Sequence, residues 1–477
     1  MRTRTALRSL LHSATTASWA AAIARLLSFG LVFPFVVTTL PEAQIALWYL
    51  FGTVMGLQLL ADMGFSGVFV RFISYASGGN REFSGRQTNP ERQVGVGPDW
   101  ESIGRIVASM RRVYIRLAVG WLVCMGAFGT WASVDLFASA GQCRSCWLAW
   151  TVVLLGTTVR VYGAKYSAVL LGANRVALVR YTEAATWLGA SVGGVLAILL
   201  EGGLFALTAV FQLAMLLCVL ALRHWAQVVE GGRLWDARSA LPSEIVISDA
   251  WSAAWRAGLG LAMAAGVVQG SGLVFARLGT TREVAAYLMA LNVMGAAAAI
   301  ARAPFYSKIP RFTRLHAQGL VSERNALAQK GMRWSHWTFV LVVYAVALLM
   351  APTLSMLASN VEFVSQRMWA LMCVGFFLER YGAMHLQLYT TTNHVLWHVA
   401  NGVAGLIYIA TATVTFSKIG MFAFPLAHML GSVFYAAYAA ARSTQAFGLH
   451  LGRFELHAAA IPAFLIAALA VTSYLLG

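Results

Sequence analysis

Apolar residues in this chain recur neither on alternate positions nor on a single helical stripe. They run almost unbroken over long stretches, pause at a short polar or charged segment, and run again. A run of about twenty apolar residues is what an α-helix needs to cross a ~30 Å hydrocarbon layer with every backbone group bonded internally. Thirteen segments read this way, at 16–38, 44–68, 114–133, 147–171, 177–199, 203–222, 257–278, 284–305, 334–357, 367–389, 395–415, 419–440 and 457–476. The pattern predicts an all-α polytopic membrane protein. Its expected plan is two six-helix bundles related by a parallel pseudo-repeat around a central cavity, plus one additional C-terminal helix.

The expected domains follow from where the apolar runs pause: a first bundle over 1–222, a linker over 223–256, a second bundle over 257–441, and a linker with the extra helix over 442–477. The landmarks Trp19, Pro41, Glu42, Tyr49, Leu50 and Arg71 are echoed in order by Trp255, Arg282, Glu283, Tyr287, Leu288 and Arg311. Six spans return the chain to the side it left, so a repeat of that size is parallel rather than inverted. Before the third span, Trp100, Ile103, Ile106, Val107 and Met110 share one helical face and predict an interfacial helix over 99–112; the stretch 78–98 reads as disordered.

Charge fixes the expected orientation. With the N-terminus cytoplasmic, the outer connections hold only Arg144, Arg282 and Lys418, while the inner ones hold most of the other basic residues. That asymmetry is the one expected of a multi-pass protein with its N-terminus cytoplasmic. The turn at 390–394, without lysine or arginine, is the exception. The first apolar run continues straight into the second and is too long for a cleavable signal peptide.

Composition agrees: 59% of residues are hydrophobic and only 11% charged, against roughly 25% charged in soluble domains. The net charge of +17 raises nucleic acid as a partner, but its confinement to one set of connections argues against it. Cys143 and Cys146 form a lone C-x-x-C, read either as a local disulfide or as two thiols; a zinc site needs further ligands nearby. No metal, cofactor or catalytic constellation is read, and the connections are too short for an enzyme's catalytic platform.

Three stretches carry a family likeness. Asp62-Met63-Gly64-Phe65 with Arg71 after it, Gly279 to Tyr287, and Pro310-Arg311 resemble the MOP flippase superfamily, in its polysaccharide-biosynthesis or O-antigen repeat-unit branch. The resemblance implies a flippase that carries a polyprenyl-diphosphate-linked oligosaccharide from the inner to the outer leaflet for surface polysaccharide synthesis. It implies membrane lipids and other polysaccharide-assembly proteins as partners. Where family members often carry an acid in the seventh helix, this chain has Gln269, Gly270, Ser271 and Gly272.

Residues that bear chemistry inside the spans are few. A charge near the bilayer centre costs ~2.5–3.5 kcal/mol on insertion scales, so such residues tend to line a cavity or a substrate path. The cationic candidates for binding substrate are Arg25, Arg380, Arg160, Lys165 and Arg277. Arginine suits a diphosphate because its planar fork makes paired bonds to phosphate oxygens. Arg302 and Arg367 lie nearer helix ends and are read as snorkelling. Asp62 and Glu379 are the acids for coupling or ion pairing, with a structural pair favoured for Asp62. Arg180 and Glu183, three residues apart, read as an intrahelical pair. His398 and Asn401 share a face, with His385 as a candidate partner; packing through hydrogen bonds is favoured over a proton relay. The surplus is cationic, which favours an anionic lipid-linked substrate. The alternatives are a drug or organic-cation extruder on the same fold and, behind it, a membrane polysaccharide polymerase or ligase.

Overall fold

The computed structural model describes residues 14–78, 98–141, 144–234, 241–392, 396–449 and 451–476, and all of its regular structure is helical. Within the described residues each of the thirteen expected segments is almost wholly helical, although several cross from one helix into the next. By length and apolarity, ten helices qualify to cross a membrane, or eleven when a bent pair counts as one. Large apolar side chains such as Leu59, Val123, Leu217, Leu341 and Val414 remain exposed along them, as befits surfaces solvated by hydrocarbon. The chain divides into two compact units. The described residues up to Gln44, with Val54–Gly258, form the first; Ile45–Thr53 and Leu259–Gly477 form the second.

The first unit is built from α1 (Ala14–Thr39), the ends of α2 (Glu42–Ala61), α3 (Phe65–Ser77), α4 (Trp100–Ser139), α5 (Arg144–Gly172), α6 (Val176–Leu199), α7 (Gly203–Val228) and α8 (Glu244–Leu261). α1 packs lengthwise on α6, where the Ser191 hydroxyl donates to Ser28, and α5 and α6 both pack on α7. The expected continuous span over 44–68 is instead two helices. The chain breaks at Met63 (φ 47°) and Gly64 (φ 80°), and a Cβ on Gly64 would come 2.9 Å from that of Ala257. Only glycine accepts that backbone angle in so close an approach.

The expected interfacial helix over 99–112 is also different. It is the start of one unbroken 40-residue helix, α4, capped by the Asp99 carboxylate on the Ser102 N–H. The face identified from its spacing is buried by protein rather than by headgroups: Ile103, Ile106, Val107 and Met110 pack with Phe69, Phe72, Ala250 and Ala254. An apolar stripe shows that a helix buries one side, but not what covers it. The expected linker over 223–256 is largely the end of α7 and the start of α8.

The second unit holds a π-helical turn, Ala262–Gly266, then α9 (Val267–Leu278), α10 (Thr281–Tyr306), α11 (Ile309–Ala317), α12 (Val321–Met356), α13 (Gln366–Tyr389), α14 (Trp397–Ile419), α15 (Ala423–Phe447), α16 (Leu451–Ala458) and α17 (Ala460–Leu476). α10 starts with a reciprocal cap: Thr280 Oγ1 accepts from the Glu283 N–H, and the Glu283 carboxylate accepts from the Thr280 N–H at 3.1 Å. α15 packs lengthwise against both α13 and α14. Gly382 of α13 permits this, since a Cβ there would lie 2.6 Å from the Tyr435 ring.

The C-terminal segment is fastened to this unit by polar bonds. α16 and α17 meet at a 65° bend. His385 Nε2 lies 2.9 Å from Glu455 Oε1, Gln329 donates to the Phe454 carbonyl at 3.0 Å, and Tyr344 donates to the Leu465 carbonyl at 2.7 Å. His385 is fully buried. Glu455→Ala strands its imidazole, so ~1–3 kcal/mol should be lost. The expected result is a melting midpoint several degrees lower in detergent, with Glu455→Gln recovering most of the loss because its amide oxygen still accepts. Equal melting of the alanine variant and the parent would show that the pair fastens nothing.

Candidate functional site

A cavity of about 200 Å³ opens within the second unit. Its walls come from the π-helical turn, α10, α13, α14 and α15. The turn contributes Met263 and Ala264, and Gly405 of α14 closes against it, where a Cβ would lie 2.8 Å from the Met263 carbonyl oxygen. A π-turn interrupts regular helical packing and often occurs at a functional site.

Charge enters from two helices. Arg302 stands on α10, and Glu379 and Arg380 on α13. Arg380 is 3% exposed; its guanidinium carbon lies 5.4 Å from the Phe339 ring, and its Nε has no hydrogen-bond partner among the described residues. Arg302, Glu379 and Arg380 are within electrostatic reach of one another and of Tyr306. His428 Nε2 lies 3.9 Å from Glu379 Oε2. Two guanidiniums against one carboxylate leave the cavity cationic. Around them stand the rings of Trp397, Tyr408 and Tyr435 and the amide of Asn401.

The first unit holds a separate cluster. Arg25 of α1 lies over the Trp187 ring of α6 at 5.3 Å, and Arg160 of α5 is within electrostatic reach of Arg25 and Glu183. Glu183 is held by Arg180 at 2.8 Å, the intrahelical pair that the three-residue spacing predicts. Again the cations outnumber the acids.

The remaining candidates lie elsewhere. Lys165 is buried lower on α5, and Arg277 sits in the last turn of α9, where a cation meets the negative end of the helix. Asp62 accepts three hydrogen bonds from Ser66 and Tyr114 across the break between α2 and α3. His385 pairs with Glu455, while Asn401 lines the cavity. Cys146 is disulfide-bonded, while Cys143 lies outside the described residues.

Arg302, read from depth alone as snorkelling, is also part of the cavity lining. The lining carried a signal in its spacing: Arg302 with Tyr306, Trp397 with Asn401, Ala404, Gly405 and Tyr408, and His428 with Gly431, Ser432 and Tyr435. Each set falls on one helical face with a polar or aromatic group at every turn.

No protein-family model matches the chain, and no curated protein matches it. Solved structures do. The chain is similar to a multidrug resistance MATE family transporter of the MOP superfamily in its inward-facing conformation, at 14% identity and TM-score 0.63, covering 89% of this chain and 98% of that one. It is similar to an outward-facing multidrug resistance MATE transporter of the same superfamily, at 13% identity and TM-score 0.58, covering 92% and 97%. A third, from Pyrococcus furiosus, is described as a MOP superfamily transporter whose binding pocket has reverse polarity, suggesting a different function; identity is 13%, TM-score 0.51 and coverage 91% and 97%. The chain has the fold of these membrane transporters.

Proposed function

We propose that this protein is a flippase that moves a polyprenyl-diphosphate-linked oligosaccharide from the inner to the outer leaflet of a bacterial cytoplasmic membrane, by alternating access. The observation that carries the reading is the cationic cavity of the second unit, where Arg302 and Arg380 outnumber Glu379. In a partly dehydrated site two guanidiniums attract a diphosphate far more strongly than in water. The tyrosines and Trp397 offer flat apolar faces with polar rims, which suit sugar rings. Transporters of this fold described as inward- and outward-facing support the alternating cycle, and a neighbour described with reversed pocket polarity supports a change of cargo on one architecture.

Extrusion of drug cations is the competing reading. It is favoured by the multidrug descriptions of the neighbours and by Glu379, a carboxylate able to receive a cation. The cationic surplus of both charge clusters disfavours it.

Depleting the protein should leave polyprenyl-diphosphate oligosaccharide accumulating on the inner leaflet, hidden from a membrane-impermeant lectin added outside. Unpolymerised repeat units found on the outer leaflet would defeat the flippase reading and return the polymerase alternative. Normal lipid intermediates together with drug hypersensitivity would favour the extruder.

A further inference from the structure

Lys165 stands apart from both charge clusters. It lies near the C-terminal end of α5 with its side chain 1% exposed, and its ammonium has no hydrogen-bond partner among the described residues. Two rings hold it: Nζ is 2.9 Å from the Tyr162 centroid and 5.0 Å from that of Tyr166. Aromatic faces attract a cation but do not neutralise it. The charged groups that act on it are Arg111 of α4 and Arg223 of α7, and the same two act on Tyr166.

Two cations thus lie within electrostatic reach of a third, and three of the unit's acids are paired with other residues. Glu101 is paired with Arg105, Glu230 with Arg175 and Glu244 with Arg112. None of the ion pairs among the described residues includes Arg111, Lys165 or Arg223. The convergence is built by close packing: Gly163 lets α7 approach so tightly that a Cβ would lie 2.6 Å from Val219, and Arg223 follows one turn later on that face. Like charges gathered in a partly dry site are costly until an anion joins them.

The surroundings say what kind of anion. Ile115 and Val119 continue the exposed face of α4 one and two turns beyond Arg111, and Leu220 and Leu216 continue that of α7 behind Arg223. The cations thus head two exposed apolar stripes that run into the hydrocarbon layer. A soluble anion has no use for such stripes; an anion bearing a lipid tail does.

We infer that Arg111, Lys165 and Arg223 form a site for the phosphate-bearing headgroup of a lipid, with its chain laid along the apolar faces of α4 and α7. The site depends on the flippase reading only where the lipid is the transported diphosphate; an anionic phospholipid has the same chemistry.

The test is lipid binding by the purified full-length protein, followed by native mass spectrometry with polyprenyl diphosphate, phosphatidylglycerol and zwitterionic phosphatidylcholine as separate probes. Lys165→Met and the double variant Arg111→Gln/Arg223→Gln should each weaken binding of an anionic probe at least tenfold. Should Lys165→Met fail to fold, the double variant of the two exposed arginines decides. Preference for the diphosphate would make this a docking station for the cargo. Equal binding of phosphatidylglycerol would make it a resident-lipid site, which stands even if depletion shows no trapped oligosaccharide and the flippase reading falls. Undiminished anionic binding in both Lys165→Met and the double variant, or equal uptake of phosphatidylcholine, would overturn the inference.

Discussion

Arg380→Gln is expected to abolish measurable transport while leaving the protein inserted and folded. Arg380 is 3% exposed, lines the cavity with Arg302, and leaves its Nε unbonded within the described residues. A charged hydrogen bond to the cargo is worth ~1.5–3 kcal/mol, or about one to two orders of magnitude in rate. The loss should exceed that of one bond, because removing the charge also cancels the cavity's cationic surplus, leaving Arg302 balanced by Glu379. Glutamine keeps most of the volume and a polar end, so packing against Phe339 changes little. Complementation of a depleted strain, beside quantitation of the protein in membranes, separates the outcomes. Wild-type complementation would remove Arg380 from the site; loss of the protein itself would make its role structural. Arg380→Lys should fall between, since an ammonium restores the charge without the fork.

The fold was legible because a membrane span is a one-dimensional signal. Within the described residues the thirteen expected segments are almost wholly helical, since apolar length alone determines that much. What length cannot show is where a helix breaks or runs on. The break at Met63 and Gly64 depends on Ala254, Ala257 and Gly258, nearly two hundred residues away. The continuation of α4 back to Trp100 depends on α3 and α8 covering a face that headgroups would have served equally well.

The site was legible only in its strongest charges. Arg380 and Glu379 line the cavity, and Arg25 and Arg160 come together with Glu183 in the first unit. The cavity-lining position of Arg302 escaped notice because distance from a helix end measures depth, not direction. Four residues after it comes Tyr306, on the same cavity wall, and this i,i+4 pairing was the better guide. The aromatic lining from α14 and α15 was invisible to a search for charge. It becomes visible once polar and aromatic residues are counted by helical face.

Asp62 separates structure from coupling, and its variants should part sharply. Its Oδ1 accepts from the Tyr114 hydroxyl at 2.8 Å and from the Ser66 hydroxyl at 2.6 Å, while Oδ2 accepts from the Ser66 N–H at 2.9 Å. One carboxylate thus starts α3, spans the break after α2 and ties both to α4. Asp62→Ala strands the Ser66 N–H and the Tyr114 hydroxyl together, a loss of ~3–5 kcal/mol when linked bonds to a charged acceptor go at once. The expected result is little folded protein in the membrane and a melting midpoint lowered by ten degrees or so in whatever is recovered. Asp62→Asn keeps an acceptor oxygen in place and should retain most of the stability and most of the transport. A fully stable Asp62→Asn protein without transport would reverse the assignment. The carboxylate would then be needed for its charge or its proton, and the three hydrogen bonds would be the means of holding a coupling group in position.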